Sequence, residues 1–372
     1  MTGLPAQSAC SVPATSRGLR LVAKGQFDWA ETASGELSPD EVIIQVVGCG
    51  VCHTDIGFAY EGISTRHALP LILGHEIAGR VVLAGEHAGN WIGRSVIVPA
   101  VIPCGNCDAC RSGRPTICRK QFMPGNDADG GFATYVRVHA RGLCPVPEEL
   151  PQGLTLAMLS VVADAVTTPY EAIRRSGLTA DDVAVFVGAG GIGGFGVQIA
   201  AALGAAVVAI DVDADRLELA STHGAALAVN ARECADVKSA VRSFARQSGR
   251  YGIGLKIFET SGTPVGQQTA FSLLDPGAHL AIIGYTVQKI EVRLSNLMAF
   301  DATARGNWGC PPDQYPNALA MVLEGKIHIQ PFVEMHPLEE AQQVLEAVHH
   351  HQLRRRAVLV PQSRETQQGT KP

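Results

Sequence analysis

The first part of the chain consists of short apolar runs, rich in β-branched residues, that glycine and proline separate. Residues 41–47 show the pattern most clearly, since they follow the turn-like sequence Ser-Pro-Asp. Similar runs occupy residues 19–24, 79–85, 95–99 and 130–138. Runs of this length and composition predict strands. Because the region contains few helical patterns, the sequence predicts an irregular β-barrel-like domain.

The pattern changes near residue 154, where longer helical segments begin to alternate with buried strands. Predicted helices cover residues 154–160, 168–176, 195–203, 213–223, 238–246 and 266–274. Predicted strands cover residues 183–187, 206–210, 226–229, 254–258 and 278–283. Such alternation predicts a parallel, doubly wound sheet. The last part of the chain predicts an amphipathic segment at 293–305, helices at 314–323 and 337–350, and a strand at 357–360.

The composition is that of a protein with a substantial core. The chain has 372 residues, of which 46% are hydrophobic and 17% charged, and this length fits two domains better than one. A net charge of −5 gives no general reason to expect nucleic acid or an anionic membrane as partner. Neither a signal-peptide core nor an apolar run of about 18 residues occurs, so the sequence predicts a cytoplasmic protein without membrane spans.

Four of the ten cysteines fall within one short segment. Cys104, Cys107, Cys110 and Cys118 have the spacing C-x2-C-x2-C-x7-C. Four thiolates this close can surround one tetrahedral zinc ion and leave no position open for substrate, which predicts a structural zinc lobe at about residues 103–119. An iron–sulfur cluster is the main alternative, although the bacterial ferredoxin pattern has a shorter last gap followed by proline. Unligated surface thiols explain so dense a group less well.

A glycine-rich segment follows the strand predicted at 183–187 and precedes a helix. Its key residues are Gly188, Gly190, Gly191, Ile192 and Gly193. Glycines at this spacing allow a tight turn and a close approach of the backbone to a pyrophosphate at the helix N-terminus. Asp211 ends the next strand about 20 residues later, where a carboxylate binds ribose hydroxyls and repels a 2′-phosphate. The segment therefore predicts a dinucleotide site that takes NAD rather than NADP.

A second group of potential metal ligands surrounds Cys52 and His75. A thiolate and an imidazole are ligands that zinc prefers, and a hydroxyl and two carboxylates lie beside them, at Thr54, Asp55 and Glu76. Taken alone, the pair is a weak signal, because isolated cysteines and histidines are more often core or surface residues than ligands. The other motifs of the chain strengthen the prediction of a metal site at this pair.

Asp164 is the one acid in the apolar run 161–166. A carboxylate in such surroundings needs a partner. The pattern leaves two explanations open: a helix cap or turn, and ligation of a metal.

These motifs together resemble the zinc-dependent medium-chain alcohol dehydrogenases over residues 19–361. The resemblance implies an α/β fold with a Rossmann doubly wound parallel sheet domain and an irregular β-barrel-like (GroES-like) catalytic domain that carries a zinc lobe. It implies a catalytic domain in two parts, 1–164 and 306–361, on either side of an NAD-binding domain at 165–305. Residues 362–372 are polar and are predicted to form a disordered tail.

The same resemblance implies roles around a catalytic zinc ion. Its ligands would be Cys52, His75, Asp164 and, by exchange with the water on the metal, Glu76. Asp164 stands where the family usually has cysteine, although a carboxylate is also an acceptable zinc ligand. Thr54 would take the proton of the substrate hydroxyl. Asp55 and Glu76 would also orient His75.

Contacts with NAD are implied as well. His53 and Arg356 would touch the pyrophosphate, and Asp211 and Arg216 would hold the adenosine ribose. Further contacts are expected at the glycine-rich segment and at Thr168, Ser261, Gly284 and Tyr285. The expected cofactors are therefore NAD and two zinc ions per subunit, one catalytic and one structural. The resemblance also implies a homo-oligomer, either a dimer or a tetramer.

One position departs from the family pattern. Many relatives carry a histidine at the position of Gly57, where it ends a proton relay to solvent. Glycine cannot relay a proton, so Tyr60 or a chain of waters would have to carry it.

Five further stretches resemble a narrower branch of the family, whose substrate is a cyclic hydroxy-acyl-CoA thioester of anaerobic aromatic catabolism. They are residues 66–71, 123–127, 161–170, 292–300 and 306–310. Basic residues that could meet the CoA phosphates, by charge alone, are Arg66, Arg119, Lys120 and Arg305. Solvated surface charge is the stronger explanation for each of them. Two alternatives stay open: a zinc dehydrogenase of a free secondary or allylic alcohol, and a non-catalytic NAD(H)-binding protein on the same fold.

Overall fold

The computed structural model describes residues 15–33, 35–250 and 254–362. All but the first residue of the tail predicted at 362–372 lies outside this range. Within the described residues, no helix is both long enough and apolar enough to cross a membrane.

The first part of the chain, from β1 to β8, forms a β-rich domain. Its strands are β1 (Thr15–Ala23), β2 (Gln26–Ala33), β3 (Glu41–Gly50), β4 (Leu71–Ile72), β5 (Glu76–Ala84), β6 (Ser95–Val98), β7 (Tyr135–His139) and β8 (Cys144–Pro145). Its α-helices are α1 (His53–Tyr60) and α2 (Asp108–Arg111). β3 lies at the centre, because it pairs antiparallel with both β5 and β7. Since β3 leads directly into α1, Cys52 lies at the helix N-terminus.

The middle of the chain forms a parallel sheet covered by helices. Its strands are β9 (Val183–Val187), β10 (Ala206–Asp211), β11 (Leu227–Asn230), β12 (Lys256–Glu259), β13 (His279–Ile282) and β14 (Thr303–Gly306). Its helices are α3 (Thr167–Ser176), α4 (Gly193–Ala202), α5 (Ala214–Thr222), α6 (Val237–Gln247), α7 (Pro264–Ser272) and α8 (Ser295–Ala299). The strand order is β11-β10-β9-β12-β13-β14, the order of a doubly wound sheet, in which ligands bind at the carboxyl ends where the order reverses. The predicted fold class is confirmed.

The C-terminal segment returns to the first domain. Its elements are α9 (Tyr315–Leu323), β15 (Val333–Pro337), α10 (Ala341–His349) and β16 (Arg356–Val360). β16 pairs antiparallel with β3, where Leu359 faces Cys49, and β15 pairs with β16. The last strand therefore completes the sheet that the N-terminal residues begin. The domain boundaries drawn from the sequence stay a prediction.

The two domains share one continuous core. A single cluster of buried side chains includes Ile97 and Val358 of the β-rich domain together with Phe186 and Phe195 of the parallel sheet. Phe186 stacks on Phe258 with ring centroids 4.8 Å apart. Truncation of such a phenylalanine typically costs about 3–5 kcal/mol. Because interiors pack this closely, the strand ends that carry the candidate site are held in one arrangement.

One sequence prediction about local structure is wrong, and one predicted segment is divided between two elements. Residues 154–160 do not form an α-helix; the structure has a 3₁₀-helix at Met158–Ala163. Its last five residues are all buried, so no amphipathic face organises them. The segment 293–305 divides into α8 and the edge strand β14, because the latter pairs with β13. Every residue of β14 is exposed, so it lacks the alternation that identifies a strand.

Candidate active site

Cys52 lies in a turn that Asp55 holds together. Asp55 Oδ2 accepts a hydrogen bond from the Cys52 N–H at 2.9 Å, and Oδ1 accepts one from the Gly74 N–H at 3.2 Å. Asp55 is fully buried. An acid at the third position of a helix commonly closes such a capping box. Here it also joins the turn of Cys52 to the residue that precedes His75.

Four potential ligands converge beside this turn. Their ligand atoms all lie within 4.8 Å of one another, and they belong to Cys52, His75, Glu76 and Asp164. Asp164 Oδ2 lies 3.6 Å from Cys52 Sγ and 3.7 Å from His75 Nε2. Zinc holds its ligands at about 2.0–2.3 Å in a tetrahedron, which sets neighbouring ligand atoms roughly 3.3–3.8 Å apart. The donor set and its spacing therefore fit zinc.

Asp164 precedes α3 but does not cap it, since that helix has no side-chain cap hydrogen bond. Asp164 Oδ1 accepts a hydrogen bond from the Thr168 hydroxyl, while Oδ2 faces Cys52 and His75. Burial acts to raise the pKa of this carboxyl, but the neighbouring His75 and the hydrogen bond from Thr168 lower it to about 2. The structure therefore favours metal ligation over a cap. The hydroxyl of Thr168 lies on Asp164, and the contact of Thr168 with the cofactor stays a prediction.

Asp55 lies beside Nδ1 of His75, the ring nitrogen that does not face Asp164. His75 Nδ1 lies 3.3 Å from Asp55 Oδ1, and both side chains are buried. The angle is not that of a good hydrogen bond, so the contact is mainly electrostatic. A carboxylate on the far nitrogen sets the tautomer that leaves Nε2 free to bind a metal.

Glu76 and Arg356 form a buried ion pair. Arg356 Nε donates to Glu76 Oε2 at 2.8 Å, and Nη2 donates to Oε1. Burial raises the pKa of Glu76 to about 7, although Arg356 opposes this effect. The same guanidinium lies against the glycine-rich segment, since Nη1 is 3.0 Å from the point where a Cβ on Gly191 would stand. The pair thus connects the metal ligands to the dinucleotide segment, a link that the sequence did not predict.

Thr54 and His53 begin α1. Thr54 Oγ1 lies 3.7 Å from Cys52 Sγ, so the hydroxyl is at the edge of the ligand group. His53 reaches solvent but is surrounded by protein on most sides. This burial lowers the pKa of His53 to about 4, and nearby cations, Arg356 foremost, contribute to the decrease. A neutral imidazole among cations is a suitable neighbour for a pyrophosphate.

The glycine-rich segment makes the tight turn that its sequence predicts. Gly188 has a φ of +100°, and a Cβ there would lie 2.7 Å from the backbone of Ser261. A Cβ on Gly193 would lie 1.8 Å from the carbonyl oxygen of Gly188. Only glycine fits these two positions. Between them Gly190, Gly191 and Ile192 are partly exposed, and α4 begins at Gly193, so N–H groups are available to an anion.

Asp211 and Arg216 lie beside this segment. Asp211 Oδ2 accepts a hydrogen bond from the Ala189 N–H at 2.6 Å, and Oδ1 accepts one from the Val212 N–H at 2.7 Å. The carboxylate therefore also holds the turn, and its role toward ribose stays a prediction. Arg216 Nη1 is 3.5 Å from the Cβ position of Gly190. Its Nε is buried without a hydrogen-bond partner among the described residues, which fits a ligand at this place.

The carboxyl ends of β12 and β13 complete the region in which the dinucleotide would bind. Glu259 Oε1 accepts hydrogen bonds from the Ser261 hydroxyl and from the N–H groups of Ser261 and Gly262. A Cβ on Gly284 would lie 2.2 Å from the nitrogen of Gly262. Tyr285 follows and is 58% exposed. The structure thus brings three predicted cofactor residues together. Sequence reasoning missed Glu259, because one acid at a strand end forms no motif.

The four cysteines of the lobe also converge. Their sulfur atoms are 3.5 Å apart for Cys107 and Cys110, 3.7 Å for Cys107 and Cys118, and 4.0 Å for Cys104 and Cys110. A tetrahedral zinc ion with Zn–S bonds near 2.3 Å sets sulfurs about 3.8 Å apart. In an iron–sulfur cluster the thiolates bind different iron atoms, which spreads them, so the geometry favours a single ion. The Asn106 N–H lowers the pKa of Cys104 to about 6, which favours the thiolate.

Gly57 is enclosed by its surroundings. A Cβ at this position would lie 2.5 Å from Ile63 Cδ1, so Ile63 occupies the space that a larger side chain would need. Tyr60 stacks on His349 with ring centroids 4.7 Å apart. Its hydroxyl is buried without a hydrogen-bond partner in the part of the chain that the structure describes, and burial raises its pKa to about 12. Because such a phenol is a poor relay, the water chain is the better prediction for proton exit.

Comparison with known proteins agrees with this geometry. Residues 38–148 match the alcohol dehydrogenase GroES-like domain, and residues 191–324 match the zinc-binding dehydrogenase family. The chain is 31% identical over 296 residues to an uncharacterized zinc-type alcohol dehydrogenase-like protein of Haemophilus influenzae, spanning 79% of this chain and 83% of that protein. It is 29% identical over 331 residues to an alcohol dehydrogenase of Geobacillus stearothermophilus, spanning 88% of this chain and 94% of that protein.

A solved structure extends the likeness to the whole fold. The galactitol-1-phosphate dehydrogenase of Escherichia coli superposes with a TM-score of 0.83 at 25% identity, covering 93% of this chain and 100% of that chain. The chain therefore belongs to the zinc-dependent medium-chain alcohol dehydrogenase family. It is an oxidoreductase that uses zinc and NAD, as the sequence predicted. The roles of individual residues stay predictions.

Proposed function

We propose that the protein oxidises 6-hydroxycyclohex-1-ene-1-carbonyl-CoA to 6-oxocyclohex-1-ene-1-carbonyl-CoA with NAD, in the anaerobic breakdown of benzoyl-CoA. The observation that carries the reaction type is the group of thiolate, imidazole and carboxylate atoms within 4.8 Å of one another, joined by an ion pair to a dinucleotide segment. The support for this particular substrate is the five stretches that resemble the dehydrogenase of that thioester. They are spread along the chain, and none of them is a generic zinc or nucleotide signature.

The metal ligands would be Cys52, His75 and Asp164. When bound, zinc supplies a Lewis acid that lowers the pKa of the substrate hydroxyl, and NAD accepts the hydride. The chain supplies position: Asp55 lies against His75, and Thr168 holds Asp164 by a hydrogen bond. The near-complete burial of Cys52, His75 and Glu76 keeps bulk water away from the reacting atoms.

The proton and the hydride leave by different routes. Oxidation breaks the carbinol C–H and O–H bonds and forms the ketone. The hydride goes to NAD, and Thr54 would take the hydroxyl proton, since its Oγ1 is 3.7 Å from Cys52 Sγ. From Thr54 the proton would reach solvent through water, because Gly57 has no side chain to relay it.

The bound dinucleotide would be held by positively charged side chains and by backbone N–H groups. Arg356 lies against the glycine-rich segment, where the pyrophosphate would bind, and the neutral His53 feels the charge of Arg356. Arg216, with its unpartnered Nε, would contact the adenosine ribose. Asp211 favours NAD over NADP, because its carboxylate would repel a 2′-phosphate.

A free secondary or allylic alcohol is the second candidate substrate, since the Geobacillus relative is named an alcohol dehydrogenase. A purely NAD(H)-binding protein has less support, because the ligand group is complete and Thr54 lies beside it. Under either substrate the protein would act in the cytoplasm as a dimer or tetramer.

The experiment follows NADH formation by zinc-loaded protein with the hydroxycyclohexenoyl-CoA thioester and, in parallel, with cyclohex-2-enol. Turnover of the thioester with little turnover of the free alcohol supports the proposal. The reverse preference removes the CoA substrate and leaves an alcohol dehydrogenase. No NADH from either substrate, with two zinc ions bound per chain, contradicts both candidates.

A further inference from the structure

Two neighbouring threonines at the start of α3 use their hydroxyls differently. The Thr167 hydroxyl donates to the carbonyl oxygen of Ala163, four residues earlier, at 3.2 Å. This is the usual hydrogen bond of a threonine side chain within a helix. The Thr168 hydroxyl donates instead to the side chain of Asp164, at Oδ1. The position of Thr168 therefore helps to fix the carboxylate whose other oxygen faces the remaining potential metal ligands.

The backbone of Thr168 is held from outside the helix by Asn307. Asn307 follows β14 directly, and its Nδ2 donates to the carbonyl oxygen of Thr168 at 3.2 Å. The two residues are 139 positions apart in the chain. Because this hydrogen bond crosses from the sheet to the helix, it fixes the start of α3 against the carboxyl end of β14.

The partners of the Asn307 amide determine its orientation. Nδ2 also donates to the carbonyl oxygen of Gly309 at 3.3 Å, and Oδ1 accepts a hydrogen bond from Arg175 Nη1 at 2.9 Å. A carbonyl oxygen can only accept and a guanidinium can only donate, so an amide turned by 180° would oppose all three partners. Neither an aspartate nor an aliphatic side chain could make the same contacts.

An asparagine at a strand end often binds only its own turn. Asn230, the last residue of β11, does so. Its Nδ2 donates to Glu233 Oε1 at 3.0 Å, and its Oδ1 accepts a hydrogen bond from the Arg232 N–H at 3.0 Å. Asn307 differs, because two of its three partners belong to α3. Its effect should therefore extend beyond the local turn to the helix.

We propose that Asn307 is a positioning residue for the candidate zinc site, which it affects through Thr168 and Asp164. The inference rests on the ligation of the metal by Asp164, which is part of the proposed function. Hydrogen-bond partners of a metal ligand orient it and thereby change the metal affinity. Thr168 is such a partner, and Asn307 acts one contact further out. Arg175 keeps the amide in the orientation that this role requires.

The first test measures the affinity of the candidate active site for zinc, by competition with a chelator. We expect this affinity to fall about tenfold in Asn307→Ala and about threefold in Arg175→Met, because each loosens the support of Asp164. Asn230→Ala is the matched control, since Asn230 is also a partly buried asparagine at the carboxyl end of a strand in this sheet. It should bind zinc as the wild type does.

The zinc lobe is a second control, present in every molecule. Its affinity for zinc should be the same in all four proteins. Equal affinity of the active site in the wild type, Asn307→Ala and Arg175→Met overturns the proposal. Loss of zinc from the lobe and the active site alike, in both of these variants, would show general unfolding and would also overturn it.

The second test asks whether Asn307 acts through Thr168. Thr168→Val keeps the shape of the side chain but removes the hydroxyl, so we expect the zinc affinity of the active site to fall about thirtyfold. If Asn307 acts through this hydroxyl, the double variant should bind zinc about as weakly as Thr168→Val alone. Independent effects would multiply to a loss of roughly three-hundredfold, which would make Asn307 a general structural residue and contradict the proposal.

The outcomes separate this inference from the proposed function. If Asp164→Ala keeps both zinc ions, the ligand assignment fails and the inference fails with it. If Asp164→Ala loses the catalytic ion but Asn307→Ala binds it as tightly as the wild type, the ligand assignment stands and only the inference fails. Neither measurement needs a substrate, so the identity of the alcohol does not affect the result.

Discussion

The two candidate zinc sites are built in opposite ways. In the lobe, Cys104 and Cys118 are 14 positions apart, and three of its four cysteines are partly exposed. At the candidate active site, Cys52 and Asp164 are 112 positions apart, and both Cys52 and His75 are buried. The lobe is therefore a property of one short segment. The active site exists only when distant segments have packed together.

The comparison shows what holds the ligands in each site and what the loss of a ligand should affect. In the lobe the ligands would be held mainly by a bound metal and by backbone N–H groups such as that of Asn106. At the active site each ligand has its own support, from Asp55 on His75 and from Thr168 on Asp164. Loss of a lobe ligand should therefore affect folding most, whereas loss of an active-site ligand should affect the chemistry.

The largest expected effect follows from Asp164→Ala. Removal of the carboxylate leaves two strong ligands, so we expect the catalytic zinc to be lost and kcat/KM to fall about a thousandfold. Metal analysis should find one zinc ion per chain instead of two. The matched control is Asp164→Cys, which supplies the ligand more usual in the family and should retain both ions. Two ions in Asp164→Ala would refute the ligand assignment.

Cys107→Ser should act on stability rather than on chemistry. Because Cys107 Sγ lies 3.5 Å from Cys110 and 3.7 Å from Cys118, its loss opens the ligand set of the lobe. We expect the free energy of unfolding to decrease by roughly 3 kcal/mol, measured by denaturant titration. The folded fraction should keep its KM. Unchanged stability together with a changed KM would mean that the lobe serves the substrate and not the fold.

A smaller effect is expected from Asp55→Asn, which tests the support of His75. The amide keeps the shape of the side chain but loses the charge that faces His75 Nδ1, and its NH2 group can no longer accept one of the hydrogen bonds from Cys52 and Gly74. We expect zinc affinity at the active site to fall about 10–100-fold, measured by competition with a chelator, while the lobe is unaffected. If both ions were lost equally, Asp55 would be a general structural residue.

Some of the site could be predicted from the sequence because its residues are neighbours in the chain. The spacing of the four cysteines and of the glycines is short enough for local backbone geometry to bring each set together, and the structure agrees. The alternation of strands and helices predicted the parallel sheet in the same way. The edge strand β14 escaped prediction, since its four exposed residues carry no pattern until β13 provides a partner.

Other features could not be predicted. The pairing of Arg356 with Glu76 joins residues 280 positions apart, and the sequence assigned them to different ligands. The hydrogen bond from the Thr168 hydroxyl to Asp164 was not predicted either. Side chains that meet across such distances have no common local signal, so only the packing of their elements decides which of them touch.

The sequence by itself determined the fold class, the zinc lobe and the dinucleotide turn, because each depends on periodicity or on residues a few positions apart. The tertiary structure alone decided that Asp164 turns one carboxylate oxygen toward Cys52 and His75. It also decided that Arg356 pairs with Glu76. The physical reason is the same in both cases: distances between residues far apart in the chain are set by the packing of the elements that carry them.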